Sequence, residues 1–351
     1  MKETLLGMTP VQLKEAALRV GLPAFAGKQL AGWLYDRRVK SFDEMTNISK
    51  VGRERLEEEF DLGVVTPSSC QVSKDGTKKY LFPLGGGDAV EAVMIPDEDR
   101  KTLCVSSQAG CKMGCKFCMT GRQGFHGNLT VAGILSQFIA IEESQDLTNA
   151  VFMGMGEPLD NYDNVHKAIE VLTSDWGFGW SPKRITLSTI GVLPNLKRYL
   201  DSSRCHVAVS LHNPFPDERA SIMPAQKAWP LSEVIDLLKE YDFTGQRRVS
   251  FEYIMFAGLN DNKRHADALI RLLKGLECRV NLIRFHRIPD APFETSPQLV
   301  MEGFRDRLSN HGITCTIRAS RGEDIMAACG MLAGEHSEHR KKTGNSTLQD
   351  Q

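Results

Sequence analysis

The stretch NAVFMGM at residues 149–155, followed by NVHKAIEVL at 164–172, decides the fold. The first is a short apolar run of strand length. The second is an amphipathic helical pattern. The pair then repeats along the chain: RITLST (184–189) with VLPNLKRYL (192–200), HVAVSL (206–211) with LSEVIDLLKEY (231–241), and VSFEYIMF (249–256) with DNKRHADALIRLLK (261–274). RVNLIRF (279–285) with PQLVMEGFRDRLSNHG (297–312) follows, and TCTIR (314–318) closes the series. Strands alternating with helices predict an α/β fold with a parallel sheet. These six strands, with one more around Leu103, suit a full or partial βα barrel of the TIM type over residues 101–320. Functional residues are then expected just after the C-terminal ends of strands.

Upstream the texture differs. KKYLFPL (78–84), DAVEAVMIP (88–96) and KTLCVSS (101–107) read as short strands separated by Gly and Asp turns, a β extension over 63–100. Residues 1–62 read as helices: TPVQLKEAALRVG (9–21) has an N-cap threonine and a terminal glycine, and GKQLAGWLYDRRV and SKVGRERLEEEF continue the pattern. Residues 321–334 form a short C-terminal segment, and the polar stretch 335–351 is expected to be frayed.

A hydrophobic content of 41% across 351 residues supplies a sizeable core. The formal net charge of -1 gives no global signal for nucleic acid, so any RNA contact rests on local patches. Candidate patches are Arg37, Arg38 and Lys40 beside Trp33 and Tyr35, the pairs Lys183–Arg184 and Arg247–Arg248, and the run 340–342. No apolar run is long enough to span a bilayer, and the first residues lack a signal-peptide core, so the cytoplasm is the expected location. An odd count of nine cysteines argues against a fully paired secreted framework.

Three of those cysteines, Cys111, Cys115 and Cys118, form CKMGCKFC, a CxxxCxxC loop after the strand KTLCVSS. Three thiolates on one loop suit three irons of a [4Fe-4S] cluster, leaving the fourth iron open for a ligand. A zinc loop is the other reading, but it wants a fourth Cys or His, and His126 is at the wrong spacing for common modules. An aromatic residue, Phe117, precedes the last cysteine, as in S-adenosylmethionine (SAM) radical enzymes.

With VSSQAGCKMGCKFCMTGRQGF (105–125), FMGMGEPL (152–159), SLHNPFPDERASIMPA (210–225) and RGEDIMAACG (321–330) in order, the chain resembles the dual-specificity 23S rRNA and tRNA adenine-C2 methyltransferases of the radical SAM superfamily. The likeness runs to about residue 334. It implies a [4Fe-4S] cluster, SAM, 23S rRNA and tRNA substrates, a flavodoxin or ferredoxin as electron donor, and a monomer. In such enzymes one SAM methylates a cysteine near the C-terminus. A second SAM yields a deoxyadenosyl radical that takes hydrogen from the S-methyl group, and the carbon radical adds to the base.

Residue by residue, Cys329 matches the methyl carrier, with small neighbours Ala327, Ala328 and Gly330 and a possible hinge at Gly322. Cys104 matches the thiol that releases the product by forming a transient disulfide with Cys329, and Glu91 matches the proton acceptor. Gly156, Glu157, Ser188, Ser210, Leu211, His212 and His286 match SAM contacts, and Met153 a methionine near the reacting centre. His286 departs from the family, which commonly has asparagine there, and imidazole geometry differs from that of an amide. Cys70, Cys205, Cys278 and Cys315 have no matching role and read as small hydrophobes. The related adenine-C8 methyltransferases share the cluster and both extra cysteines. They carry GEA where this chain has Gly156, Glu157 and Pro158, which tilts the reading to C2. A non-catalytic iron–sulfur or zinc RNA-binding protein has no need of Cys104, Cys329 and Glu91 together, nor has a glycyl-radical activase a use for the carrier cysteine.

Overall fold

The computed structural model describes residues 2–245 and 247–333. The stretch expected to fray, 335–351, and the basic run 340–342 lie outside them.

One ten-stranded sheet organises the chain. Its strands are β1 (Ser69–Val72), β2 (Lys78–Pro83), β3 (Ala89–Asp97), β4 (Arg100–Cys104), β5 (Asn149–Phe152), β6 (Ile185–Thr189), β7 (His206–Ser210), β8 (Val249–Met255), β9 (Arg279–Arg284) and β10 (Thr314–Ile317). They lie side by side in that sequential order. From β4 to β10 every neighbour is parallel, because each crossover carries a helix. From β1 to β4 the pairing is antiparallel, through short turns. The barrel is therefore partial. β3 occupies the free edge of β4, where a closing strand would sit, and β10 pairs only with β9. The extension carrying Glu91 belongs to the same sheet as the βα units.

The helices are α1 (Pro10–Arg19), α2 (Ala26–Ala31), α3 (Lys50–Glu59), α4 (Met119–Arg122), α5 (Val131–Ile139), α6 (Tyr162–Thr173), α7 (Leu193–Ser202), α8 (Pro216–Ile222), α9 (Leu231–Lys239), α10 (Lys263–Leu272) and α11 (Gln298–Ser309). Thr9 caps α1 as its sequence predicts: its hydroxyl accepts from the Gln12 amide N–H, and the Gln12 side chain accepts from the Thr9 amide. Leu187, Val209, Phe251, Tyr253, Val280 and Leu282 are fully buried along the parallel strands. Each such apolar side chain contributes roughly 1.5–3 kcal/mol relative to exposure.

Several of the candidate basic residues also tie parts of the fold together. Arg38 Nη1 donates to the Ser144 carbonyl, and its guanidinium stacks 4.2 Å from the Phe178 ring centre. Burial pushes Arg38 down to about 10. Lys40 Nζ donates to the Ala140 carbonyl at the end of α5, and Arg247 Nη1 donates to the carbonyls of Leu200 and Ser203 at the end of α7. These long side chains satisfy carbonyls that a helix terminus leaves unpaired. Arg37 is exposed and lies 4.4 Å over the Trp33 ring, and stays a candidate RNA contact. Cys70 is exposed on β1, so it is not a core hydrophobe, whereas Cys205 and Cys315 are buried.

Candidate active site

The cluster loop is framed by a hairpin that its sequence does not announce. Gln108–Gly110 pairs antiparallel with Phe125–Asn128, and the Cys111 amide donates to the Gly124 carbonyl at 2.7 Å. Burial raises all three thiols, with Cys111 pushed up to about 12. Backbone N–H groups of Gly121 and Thr120 donate toward Cys118, and that of Met113 toward Cys111, which favours thiolate character. Three half-buried thiols with N–H donors suit a cluster that spans them.

Beside this loop, the C-terminal ends of the parallel strands open into one pocket. Its wall includes Cys111 and Met113 of the loop, Met153, Gly156 and Glu157 after β5, Ser188 on β6, Ser210 and His212 at the end of β7, Glu252 on β8, and Cys329. Gly156 has φ +96°, and a Cβ there would lie 2.5 Å from Gln108 Cβ, so only glycine lets the two loops approach. The Glu157 carboxylate accepts from Thr189 Oγ1 (2.6 Å), the Ile190 amide (3.0 Å) and the Leu159 amide (3.1 Å). Burial outweighs those bonds and pushes Glu157 up to about 7. The Ser188 and Ser210 hydroxyls have no partner among the described residues and border the pocket.

His212 sits at φ +56°, an uncommon conformation for a residue with a Cβ. Its Nδ1 accepts from the Ile254 amide at 3.1 Å, and burial holds the ring neutral, down to about 3. The proton is thereby assigned to Nε2, a donor. Two predicted contacts fall elsewhere. The Leu211 side chain is fully buried and its carbonyl takes Arg219 Nε at 3.0 Å, so it does not face the pocket. His286 is outside the pocket wall, with Nε2 at 3.1 Å from Ser320 Oγ and Nδ1 at 3.4 Å from Glu323. It clasps the C-terminal segment instead.

That segment is pinned over the site. The Gly322 amide donates to Asp75 (2.9 Å), the Met119 amide to the Gly330 carbonyl (2.8 Å), and Thr120 Oγ1 to the Leu332 carbonyl (2.7 Å). Cys329 occupies a tight turn closed by the Met331 amide on the Ala328 carbonyl at 3.0 Å. Gly330, at φ +84°, takes the turn position a Cβ would strain. Cys329 and Cys104 are both free thiols: Cys329 is exposed, whereas Cys104 is buried and its thiol is pushed up to about 12. Met153, which lines the pocket with Cys329, bonds the Cys104 thiol through its backbone, and its Sδ lies 3.6 Å from Arg318 Nη1. Glu91 is buried. Its Oε1 pairs with Lys79 Nζ at 3.0 Å, and its Oε2 accepts from the Ala333 amide at 2.8 Å.

Sequence reasoning missed Lys79, Glu252 and Arg318. Glu252 is 3% exposed and is met by Arg318 (3.5 Å) and Asn281 Nδ2 (2.8 Å). A charge inside the apolar run VSFEYIM was the available signal.

Residues 105–270 match the model of the radical SAM superfamily, and residues 4–62 match that of the ribosomal RNA large subunit methyltransferase N-terminal domain. A Porphyromonas gingivalis protein named probable dual-specificity RNA methyltransferase RlmN is 59% identical over 337 residues, covering 96% of each chain. A Syntrophus aciditrophicus dual-specificity RNA methyltransferase RlmN is 41% identical over 325 residues, covering 92% of this chain and 93% of the other. The crystal structure of a radical SAM methyltransferase from Sphaerobacter thermophilus superposes with TM-score 0.90 at 37% identity, covering 95% of this chain and all of that one.

Proposed function

The chain belongs to the radical SAM RNA methyltransferase family whose members are named RlmN, and on that premise we propose that it methylates C2 of adenosine in 23S rRNA and tRNA through S-methylation of Cys329. The observation that carries this reading is the joining of Cys329 and the cluster ligand Cys111 in the wall of one pocket, formed by the strand ends. A methyl acceptor and a radical source need that proximity.

C2 of adenine is an electron-poor ring carbon and does not attack the electrophilic methyl of SAM. When bound, the cluster and SAM supply the methyl group and a one-electron route to hydrogen abstraction. Cys111, Cys115 and Cys118 hold the cluster. Gly156, Glu157, Ser188, Ser210 and His212 bind SAM: the Glu157 carboxylate takes an ammonium, and the serine hydroxyls and His212 Nε2–H serve carboxylate and ribose oxygens. Cys329 receives the methyl group. Glu91 accepts the ring proton, and because its Oε2 holds the Ala333 amide, movement of the carrier segment also exposes the base. Cys104 then attacks the Cys329 sulfur. Before this step the radical adduct gives up its unpaired electron to the oxidised electron carrier. An S–S bond then forms and the C–S bond breaks, its electron pair passing to the carbon, which takes up a proton to become the product methyl. An external thiol reduces the disulfide before the next turnover.

The same resemblance supports a flavodoxin or ferredoxin as electron donor and a cytoplasmic monomer. No helix among the described residues is long and apolar enough to cross a membrane. The test is methylation of unmodified 23S rRNA and tRNA under anaerobic reducing conditions, with product nucleosides resolved by mass spectrometry. 2-Methyladenosine is expected. 8-Methyladenosine would preserve the carrier mechanism and overturn the position, and no methylated adenosine would overturn both.

The pocket also predicts a pH dependence. Only ionised Glu157 attracts an ammonium, so SAM affinity is expected to rise with pH up to about 7 and then level off. The buried carboxyl, raised from 4.5, favours folding of the ligand-free protein most below pH 4.5, and that contribution is lost as pH rises through about 7. Calorimetric titration of wild type against Glu157→Gln between pH 5.5 and 7.5 checks this. A flat wild-type profile rejects it.

A further inference from the structure

Arg219, on α8, is 1% exposed. Its guanidinium donates from Nε to the Leu211 carbonyl (3.0 Å), from Nη2 to the carbonyls of Ser210 (2.8 Å) and Ile190 (3.4 Å), and from Nη1 to Gln226 Oε1. Every one of these acceptors is neutral. Three other deeply buried charges have opposite charges beside them: Glu91 has Lys79, Glu143 has Lys78, and Glu252 has Arg318. Glu157, also buried, has no cation beside it among the described residues, and its burial pushes it up to about 7. Among the described residues no carboxylate forms an ion pair with Arg219. A buried cation without an anion costs several kcal/mol even when hydrogen-bonded to dipoles.

The surroundings show where the anion belongs. The carbonyl of Ile222, at the end of α8, accepts from the amide of Lys116, the residue after Cys115, at 3.0 Å. A Cβ on Gly114 would lie 3.9 Å from Pro224. Phe117 stacks edge-on against His212 with ring centres 4.9 Å apart. The cluster loop is thus packed against α8 and the strand ends that Arg219 binds. Three thiolates give a bound cluster a net negative charge, which grows by one on reduction.

We propose that Arg219 is the built-in counter-charge of the Cys111–Cys115–Cys118 cluster: a buried guanidinium that favours the reduced cluster and that lacks an anion until the cluster is loaded. This rests on the cluster reading of the three cysteines. Burial lowers Arg219 to about 10, which leaves it cationic at neutral pH. The alternative is a neutral role, in which the guanidinium only clamps the ends of β6 and β7.

Charge and clamp separate in the cluster potential. The experiment is an EPR-monitored redox titration of the anaerobically reconstituted full chain, comparing wild type with Arg219→Gln, Arg219→Lys and Gln226→Glu. Gln226→Glu keeps the clamp and places a carboxylate on the guanidinium. It is expected to lower the reduced-to-oxidised ratio at fixed potential at least tenfold, about 59 mV for one electron, and to raise the melting temperature of the cluster-free chain. Arg219→Gln is expected to lower the ratio similarly, and Arg219→Lys to retain most of it. Potentials of Gln226→Glu and Arg219→Gln equal to wild type would overturn the proposal in favour of the clamp. If Arg219→Gln does not fold, Gln226→Glu decides alone. A wild-type chain that takes up no EPR-active cluster dependent on the three cysteines would overturn the cluster reading itself, and is distinguished by that absence.

Discussion

Cys329→Ala is expected to reduce RNA methylation below detection while leaving the cluster's EPR signal intact. The size of the effect follows from chemistry: alanine has no lone pair to receive a methyl group. The thiol of Cys104 does not substitute, since it lies on β4 and is not part of the pocket wall that holds Cys329. A serine in place of Cys329 does not rescue, because its alkoxide is inaccessible at neutral pH. The companion variant Cys104→Ala separates the two thiols. It is expected to methylate Cys329 and react once, leaving RNA covalently attached, because no thiol remains to break the C–S bond. Peptide mass spectrometry and denaturing gels read both outcomes. Full methylation by Cys329→Ala would falsify the carrier role, and free methylated RNA from Cys104→Ala would remove the resolving role.

Glu91→Gln is expected to slow product formation by roughly 10²–10⁴-fold, the usual worth of a general base, with Cys329 methylation unimpaired and protein–RNA adduct accumulating. Gln preserves the shape and the acceptor for the Ala333 amide but cannot take a proton. The substitution also strips Lys79 of its anion. Breaking a buried pair in this way costs about 3–5 kcal/mol, so a bare loss of activity has two explanations. The double variant Glu91→Gln/Lys79→Met separates them. Stability returns as the orphaned ammonium is removed, and the rate stays low. Recovery of rate with stability would assign Glu91 a structural role only.

The resemblance found by the comparisons was legible because its signals are local. CxxxCxxC spacing is a property of eight consecutive residues, and a loop that short holds its thiols together whatever surrounds it. The alternation of apolar runs with amphipathic segments likewise forces a parallel sheet, because parallel neighbours need crossovers. Strand-end placement of Gly156, Glu157, Ser188, Ser210 and His212 then follows from topology, and the pocket wall contains all five.

Tertiary structure decided what depends on register and on partners far apart in the chain. Whether the barrel closed was settled when β3 took the edge of β4. Lys79 meets Glu91 only because β2 pairs Leu81 opposite Glu91, setting Lys79 on the diagonal of the same face. A one-residue slip would turn that lysine to the other face. Arg38, Lys40 and Arg247 read in sequence as candidate RNA patches, and folding gives each a carbonyl more than forty positions away in the chain. Leu211 and His286 sit at the right places in their motifs, but one side chain points into the core and the other ties down the C-terminal segment. Sequence by itself determined which chemistry the chain carries. Folding determined which charges stand beside it, because an ion pair's partner is chosen by packing in three dimensions and leaves no spacing to read.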